Sequence, residues 1–292
     1  GLLMSPDALL LPLWMAAMYL VMWDLRQPAP RWGVWLGIGV VVGLAGLAKY
    51  TAGVFYPLLF AWMLLDRREW LKTPQPWVAG VVSLLMQLPV VIWNMQHAWV
   101  GVAHVLWQTD GGGDSRHGGL ATLLEFVGGQ ALVLGPVLLG LLLWCWGTGV
   151  WGFRFMAPAM RLLMVMTVPI FVVFAAQTLN AKVQPNWPLL GTLPALVIVV
   201  VAITGYWQRL RWVLVAGVVV NALMSLVLHD TFMVRAAGVE FRHKIDPTKD
   251  MRGWPELGYM VGLQAARLDN PVILATRYQT VAQLAFHVPQ KP

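Results

Sequence analysis

Apolar residues dominate this chain in long runs that are separated by short polar stretches. Eight runs approach or exceed the roughly 20 residues with which an α-helix crosses the hydrocarbon core of a bilayer. They occupy residues 6–23, 33–48, 51–65, 77–93, 120–146, 160–179, 188–207 and 212–228. The pattern predicts an all-α polytopic membrane protein, a helix bundle with about eight spans, in residues 1–228.

Two of the predicted spans are short, and so is the connection between them. Residues 33–48 and 51–65 are joined by Lys49 and Tyr50 alone, which predicts a tight hairpin that does not necessarily cross the bilayer completely. The first of these spans carries glycines in pairs four residues apart, a spacing that lets membrane helices approach closely. The glycines are Gly33, Gly37, Gly39 and Gly43.

The tail, residues 229–292, has the alternating predicted elements and intervening turn residues of a globular domain. We predict an amphipathic helix over residues 255–268, a short buried strand over residues 271–276 (PVILAT) and a second helix over residues 280–288. This alternation indicates a small α/β domain. Because the chain begins with Gly1 and the domain stays incomplete, we expect a fragment of a longer protein.

Composition supports a membrane protein and excludes two other classes. Of the 292 residues, 59% are hydrophobic and 11% are charged, against about 45–50% and about 25% in soluble domains. A soluble fold cannot bury so much apolar surface, and a disordered chain is poor in apolar residues. The single cysteine, Cys145, lies in an apolar run, which predicts a small core residue.

The net charge of +7 would suggest nucleic-acid binding in a soluble protein, but here the basic residues segregate by loop. Alternate connectors hold Arg26, Arg31, Arg67, Arg68, Lys72, Arg154, Arg161, Arg209 and Arg211. The other connectors hold Lys49, Arg116 and Lys182, and the remaining eight lie in the tail. The positive-inside rule makes the first set cytoplasmic. The start of the first span, the loops 94–119 and 180–187 and the tail are then extracytoplasmic, and no nucleic-acid partner is predicted.

Polar side chains concentrate on the predicted outer side. Charged groups at membrane depth are costly and mark candidate functional sites, which singles out Asp7 and Lys49. Asp7 could instead be a partner of the helix dipole, and Lys49 could extend to the lipid head groups. The other polar candidates on this side are Tyr50, Asn94, His97, Lys182 and Asn186.

No metal site is predicted. His97, His104 and His117 lack a spacing typical of metal ligands and are more typical of interfacial residues. Residues 110–114, with an aspartate at each end of three glycines, indicate a solvated turn rather than a cation site.

Two classes of function fit these features. A transporter would place polar groups near the bilayer midplane, where Gln87 and Asn221 are the clearest polar residues. A membrane enzyme acting on a lipid-linked substrate would place them at the interface, beside the lipid phosphate. The outer-side concentration favours the enzyme; the alternative is a lipid-linked-sugar transporter or a non-catalytic membrane assembly partner.

Several motifs resemble those of bacterial glycosyltransferases of family thirty-nine, which include enzymes similar to protein O-mannosyltransferases and the lipid A aminoarabinose transferase and have the GT-C fold. The matching stretches are SPDALL (residues 5–10), GLAGLAKYTA (43–52), PVVIWNMQHAW (89–99), QPNWP (184–188), RGWPEL (252–257) and YQTVAQLAF (278–286). They occur in the family's order along nearly the whole chain.

The resemblance implies an inverting enzyme in the bacterial inner membrane. Such an enzyme moves a sugar from a polyprenyl-phosphate donor to a lipid, glycan or protein acceptor on the outer face. Asp7, the predicted catalytic residue of this chain, would correspond to the family's second acidic position, which lines the site. Lys49 would face the donor phosphate, and Asn94, His97 and Asn186 would wall the cavity. The primary catalytic carboxylate would lie upstream of residue 1. A divalent cation assists some members of the family, so the requirement for one stays open.

Overall fold

The computed structural model describes residues 6–109, 118–229 and 253–288. The chain divides into two compact units, Gly1–Asn221 and Ala222–Pro292, which are described separately. The predicted turn at residues 110–114, Arg116 and His117 lie outside the described residues, as does Arg252.

The first unit is built from apolar helices. In chain order they are α1 (Asp7–Asp24), α2 (Trp32–Ala48), α3 (Phe55–Asp66), α4 (Pro74–Met86), α5 (Leu88–Gln96), α6 (Val100–Thr109), α7 (Leu120–Leu134), α8 (Pro136–Gly152), α9 (Pro158–Val165), α10 (Val168–Gln177), α11 (Leu189–Gly205) and α12 (Trp207–His229), the last of which continues into the second unit. Short 3₁₀ turns precede α3 at Tyr50–Val54 and α4 at Trp70–Lys72.

Five stretches of the described residues are long and apolar enough to cross a membrane. They are Asp7–Asp24, Pro74–Gln96, Pro136–Phe155, Pro158–Gln177 and Trp207–Leu226. Four apolar stretches are shorter: Trp32–Ala48, Tyr50–Asp66, Leu120–Leu134 and Leu189–Gly205. The described part of the chain is therefore an all-α, multi-pass membrane protein, as the hydrophobic pattern predicted.

The fifth predicted span, residues 120–146, is wrong as one continuous helix. The structure divides it at Gly135, whose φ of 82° lies in the left-handed region that favours glycine. Pro136 then begins α8, where its missing N–H costs nothing. The Asn221 side-chain amide donates to the carbonyl of Leu134 at 2.6 Å, so the last carbonyl of α7 has a hydrogen-bond partner. Asn221 thus has a structural partner at the break.

The predicted tight hairpin between the second and third spans is also wrong. Lys49 is extended, with φ −160° and ψ 129°, and the 3₁₀ turn separates α2 from α3. Helix α2 packs between α1 and α4, whereas α3 packs chiefly against α9. The two helices consequently diverge after Lys49 instead of packing along their length.

Close packing of α2 on α4 depends on glycine. A Cβ atom at Gly39 would lie 2.8 Å from the Ala79 carbonyl oxygen, and one at Gly43 would lie 2.6 Å from Met86 Sδ. The Ser83 hydroxyl donates to the Gly39 carbonyl at 2.6 Å. This confirms close approach for one predicted glycine pair, while Gly33 has nothing within 4 Å of such a Cβ.

At the end of the bundle opposite Lys49, ion pairs connect neighbouring helices. Asp24 is fully buried and accepts hydrogen bonds from Arg31 Nε at 2.7 Å and from Trp35 Nε1 at 2.9 Å. Asp66, at the end of α3, pairs with Arg161 of α9. Two basic residues that were assigned to topology therefore also connect helices.

In the second unit, α13 (Trp254–Ala265) packs against α14 (Tyr278–His287). Both helices were predicted within a few residues of their observed ends. The predicted strand at residues 271–276 is absent: this segment has no regular secondary structure. A strand needs a paired neighbour, and the described residues supply none, so the α/β assignment of the tail is not supported there.

Candidate functional site

Three residues from distant parts of the first unit converge at one point. Lys49 Nζ lies 2.8 Å from Asp7 Oδ1. The side-chain amide of Asn186 donates to the other carboxylate oxygen, Asp7 Oδ2, at 3.1 Å. Both oxygens of the carboxylate are thus engaged, one by a cation and one by a neutral donor.

Helix packing explains why these residues meet. Asp7 is the first residue of α1, and Lys49 directly follows the end of α2. The two helices have nearly equal lengths and pack side by side, so the start of one lies beside the end of the other. Helix α1 also packs on α11, and Asn186 lies three residues before α11 begins.

The cluster is partly shielded but open to a ligand on the lysine side. The side chain of Asp7 is 9% exposed and that of Lys49 is 26% exposed. An ammonium has three N–H donors, and Asp7 is the acceptor that Lys49 contacts among the described residues. The remaining donor capacity can bind another anion, and a phosphate suits a lysine point charge.

A cavity of about 640 Å³ begins at the residue after Lys49. Tyr50 lines one end together with Gln87, and Phe60 and Trp77 line the other. The intervening wall is mostly apolar and comes from the closely packed helices α2 and α4 and from α3, which diverges from α2. The remaining lining residues are Val42, Gly46, Gly53, Tyr56, Pro57, Met63, Leu71, Pro76, Gly80, Val81, Ser83 and Leu84.

The side chain of Asn94, predicted to wall a substrate cavity, is hydrogen-bonded to the backbone around it. It is buried, its Oδ1 accepts from the backbone N–H groups of Gly101 and Val102, and its Nδ2 donates to the Val90 carbonyl. These bonds close the turn between α5 and α6. His97 stands at the same turn and stacks on Trp93 with ring centroids 4.2 Å apart.

Lys182 also has a local partner. Its Nζ lies 3.1 Å from Glu125 Oε2, and both side chains are about 60% exposed. Exposed pairs of this kind contribute little stability. The structure therefore brings together Asp7, Lys49 and Asn186 of the seven predicted site residues, with Tyr50 beside them, while Asn94, His97 and Lys182 have separate contacts.

Within the described part of the chain, no three His, Cys, Asp or Glu side chains gather as candidate metal ligands. Sequence reasoning missed one buried residue near the cluster, Gln130 of α7, which is 3% exposed and donates to the Pro185 carbonyl at 3.0 Å. A glutamine within an otherwise apolar run was the sequence signal that could have identified this residue.

Comparisons with known proteins agree with the motif resemblance. Residues 1–93 match the family described as dolichyl-phosphate-mannose-protein mannosyltransferase. The lipid A galacturonosyltransferase RgtD of Rhizobium johnstonii is 25% identical over 199 residues, a match that covers 67% of this chain. The chain spans 40% of the length of that relative. No solved structure matches the chain.

Proposed function

We propose that this chain, a relative of the GT-C family glycosyltransferases through these matches, forms the donor-binding part of a membrane glycosyltransferase. The enzyme would transfer a sugar from a polyprenyl-phosphate donor to a lipid, glycan or protein acceptor at the outer face of a bacterial inner membrane. The observation that carries the proposal is the Asp7–Lys49–Asn186 cluster, in which Lys49 directly precedes Tyr50, a lining residue of an apolar cavity.

Lys49 is the residue that binds the donor phosphate in this proposal. As the bond between the sugar carbon and the phosphate oxygen breaks, negative charge grows on the departing lipid phosphate. A fixed ammonium stabilises that charge more than it stabilises the intact donor, and this difference lowers the barrier. The acceptor oxygen forms the new bond to the sugar and gives its proton to a general base.

Asp7 has a supporting role in this arrangement. A carboxylate whose oxygens already accept from Lys49 and Asn186 is poorly placed to remove a proton from an acceptor. It is well placed to hold the ammonium in one orientation, because a charged pair with a second hydrogen bond is fixed in direction. We therefore assign Asp7 to the positioning of Lys49.

The apolar cavity supports a lipid-linked donor. Its wall begins with Tyr50, adjacent to Lys49, and continues between α3 and α4 to Trp77. A donor whose phosphate lies at Lys49 could place the first isoprene units along this wall. A water-soluble nucleotide sugar would have no use for such a surface.

The test uses the full-length protein in a strain that lacks its gene. Mass spectrometry of envelope lipids and glycans should show loss of one sugar and accumulation of a polyprenyl-phosphate sugar. The wild-type gene should restore the sugar fully, whereas Lys49→Ala and Asp7→Asn should restore only a small part of it, at matched membrane abundance. Lys72→Ala, an exposed lysine outside the cluster, is the control and should restore it fully.

Normal products from both variants would overturn the site assignment. Movement of an intact lipid-linked sugar across vesicles, without formation of a glycosidic bond, would overturn the enzymatic proposal in favour of a transporter. An unchanged profile in the deletion strain under conditions of expression would likewise contradict it.

A further inference from the structure

Helix α7 lies along the segment that carries Asn186. The Thr122 hydroxyl donates to the carbonyl of Thr178 at 2.7 Å near the start of the segment. Gln130 Nε2 donates to the Pro185 carbonyl at 3.0 Å near its end. Between them, Phe126 and Val183 share a small buried cluster. Successive residues of α7 thus contact successive residues of the segment, from Thr178 to Pro185. The helix supports the segment over about two helical turns.

One face of the helix makes all these contacts. Positions three and four apart lie on the same side of an α-helix, and Thr122, Phe126 and Gly129 follow that spacing. A Cβ atom at Gly129 would lie 2.9 Å from the Pro185 ring. The glycine therefore allows the segment to approach the helix closely enough for the neighbouring Gln130 to reach the carbonyl.

The supported segment has little order of its own. Residues 180–188 consist of turns and irregular backbone without a helix, and both Pro185 and Asn186 are exposed. An exposed side chain on an irregular segment loses considerable entropy when it is held in one geometry. Its hydrogen bond to Asp7 therefore depends on something that fixes the backbone beside it.

Gln130 meets that requirement. Its side chain is buried, and a buried amide is costly unless it is hydrogen-bonded; its Nε2 donates to the residue directly before Asn186. Its Oε1 has no partner among the described residues. The hydrogen bond that the Gln130 side chain makes in the described structure is the one to the Pro185 carbonyl, so we take the holding of that carbonyl as its function.

We propose that Gln130 is a positioning residue that sets Asn186 against Asp7 and thereby orients the Lys49 ammonium. The proposal names a new member of the site described above, and its catalytic consequence rests on the proposed function. The structural part, that Gln130 orders the segment around Asn186, stands independently of any activity.

The structural part is tested by spin labelling of the full-length protein. Native cysteines, including Cys145, are replaced by alanine, and a nitroxide is attached at Gln184→Cys, an exposed position of the segment. Gln130→Met keeps the length and apolar packing of the side chain but removes the donor. We expect a more mobile spectrum in this variant and an unchanged spectrum in the control Leu132→Met, which lies on the same helix at an exposed position.

The catalytic part is tested by a double-mutant cycle. Gln130→Met should lower kcat by roughly 2- to 10-fold, the range of one neutral hydrogen bond, and Asn186→Ala should have a similar effect. If Gln130 acts through Asn186, the double variant should be no slower than the slower single variant, because coupled residues are not additive. Gln130→Leu serves as a second variant if the methionine variant is poorly folded by size exclusion.

The outcomes separate the two proposals. An immobile label at position 184 in both Gln130 variants would overturn the positioning role. Additive losses of kcat would also overturn it, because they would indicate independent effects. Increased mobility in a protein that forms no glycosidic bond would uphold the role of Gln130 and contradict the proposed function.

Discussion

Lys49 and Asp7 are 42 residues apart in sequence, yet their Nζ and Oδ1 atoms lie 2.8 Å apart at the junction of two helix ends. The pair is held by helices of matched length, so its geometry depends on the bundle and not on a flexible loop. A charged pair placed in this way can serve both folding and ligand binding, and the two roles give different results on substitution.

Exchange of the two charges separates these roles. The double variant Asp7→Lys/Lys49→Asp retains an ion pair and should keep most of the thermal stability. This variant should nevertheless be inactive, because the cation then lies at the start of α1 and no longer beside Tyr50. Thermal unfolding in detergent and product formation are the two measurements.

The single variant Lys49→Ala leaves the Asp7 carboxylate without its cation. We expect transfer to fall by about 10- to 100-fold, since a hydrogen bond to a charged group contributes roughly 1.5–3 kcal/mol. Lys49→Arg should recover part of the rate, because a guanidinium keeps the charge but differs in shape. Equal rates for the arginine and alanine variants would contradict a role for the charge.

Close packing of α2 on α4 can be tested with two alanines. Gly39→Ala should destabilise the protein by about 1–3 kcal/mol, because its Cβ would press on the backbone of Ala79, which cannot rotate away. Gly33→Ala, in the same helix with open space around it, should be neutral or slightly stabilising. Thermal unfolding of both variants in the same detergent gives the comparison.

The apolar cavity can be narrowed without disturbing the core. Gly53 lines it and has nothing within 4 Å of a Cβ position, so Gly53→Leu should fold normally and occupy part of the lipid path. We expect the KM for a long-chain polyprenyl donor to rise more than the KM for a short-chain analogue. Gly140→Leu, which also has open space but lies outside the cavity, should leave both values unchanged.

The buried carboxylate of Asp24 should be important for stability. Asp24→Asn removes the charge that accepts from Arg31 and Trp35, and we expect a loss of about 1–3 kcal/mol. Glu69→Gln is the control, because the contact of Glu69 with Arg67 is 4.0 Å long and 61% of its side chain is exposed. An equal effect of the two substitutions on thermal unfolding would exclude a special role for Asp24.

Local patterns predicted the helices well and their interruptions less well. Apolar run length alone located α1, α2, α11 and α12. The break at Gly135 depends on a backbone conformation and on a capping amide 87 residues away, which hydrophobicity does not encode, although the Gly-Pro pair was a usable local signal. The absent strand at residues 271–276 shows the same limit, since β pairing is decided by the partner.

The candidate site was predictable only in part. Costly charges at the predicted interface pointed to Asp7 and Lys49. Asn186 was one of the polar candidates on the predicted outer side, and the motif resemblance also selected it. The sequence could not show that Asn186 donates to Asp7 across 179 residues, because that contact depends on both α2 and α11 packing against α1. The motif resemblance also selected Asn94, whose side chain closes the turn between α5 and α6 and whose role toward a substrate stays a prediction.

The close contact between α2 and α4 also determines which helix at the cavity wall can move. Ser83 and Gln87 donate to carbonyls of α2, and the glycines opposite them leave no space for sliding, so these two helices behave as a rigid frame. Helix α3 forms the remaining side. It packs against α9 and is tied to α4 by the Tyr56 hydroxyl, which donates to the Ala79 carbonyl and is hydrogen-bonded to the Ser83 hydroxyl. Admission of a lipid chain thicker than the present gap would therefore require the hydrogen bonds of Tyr56 to α4 to break, so Tyr56 acts as a latch between the two helices that line the cavity.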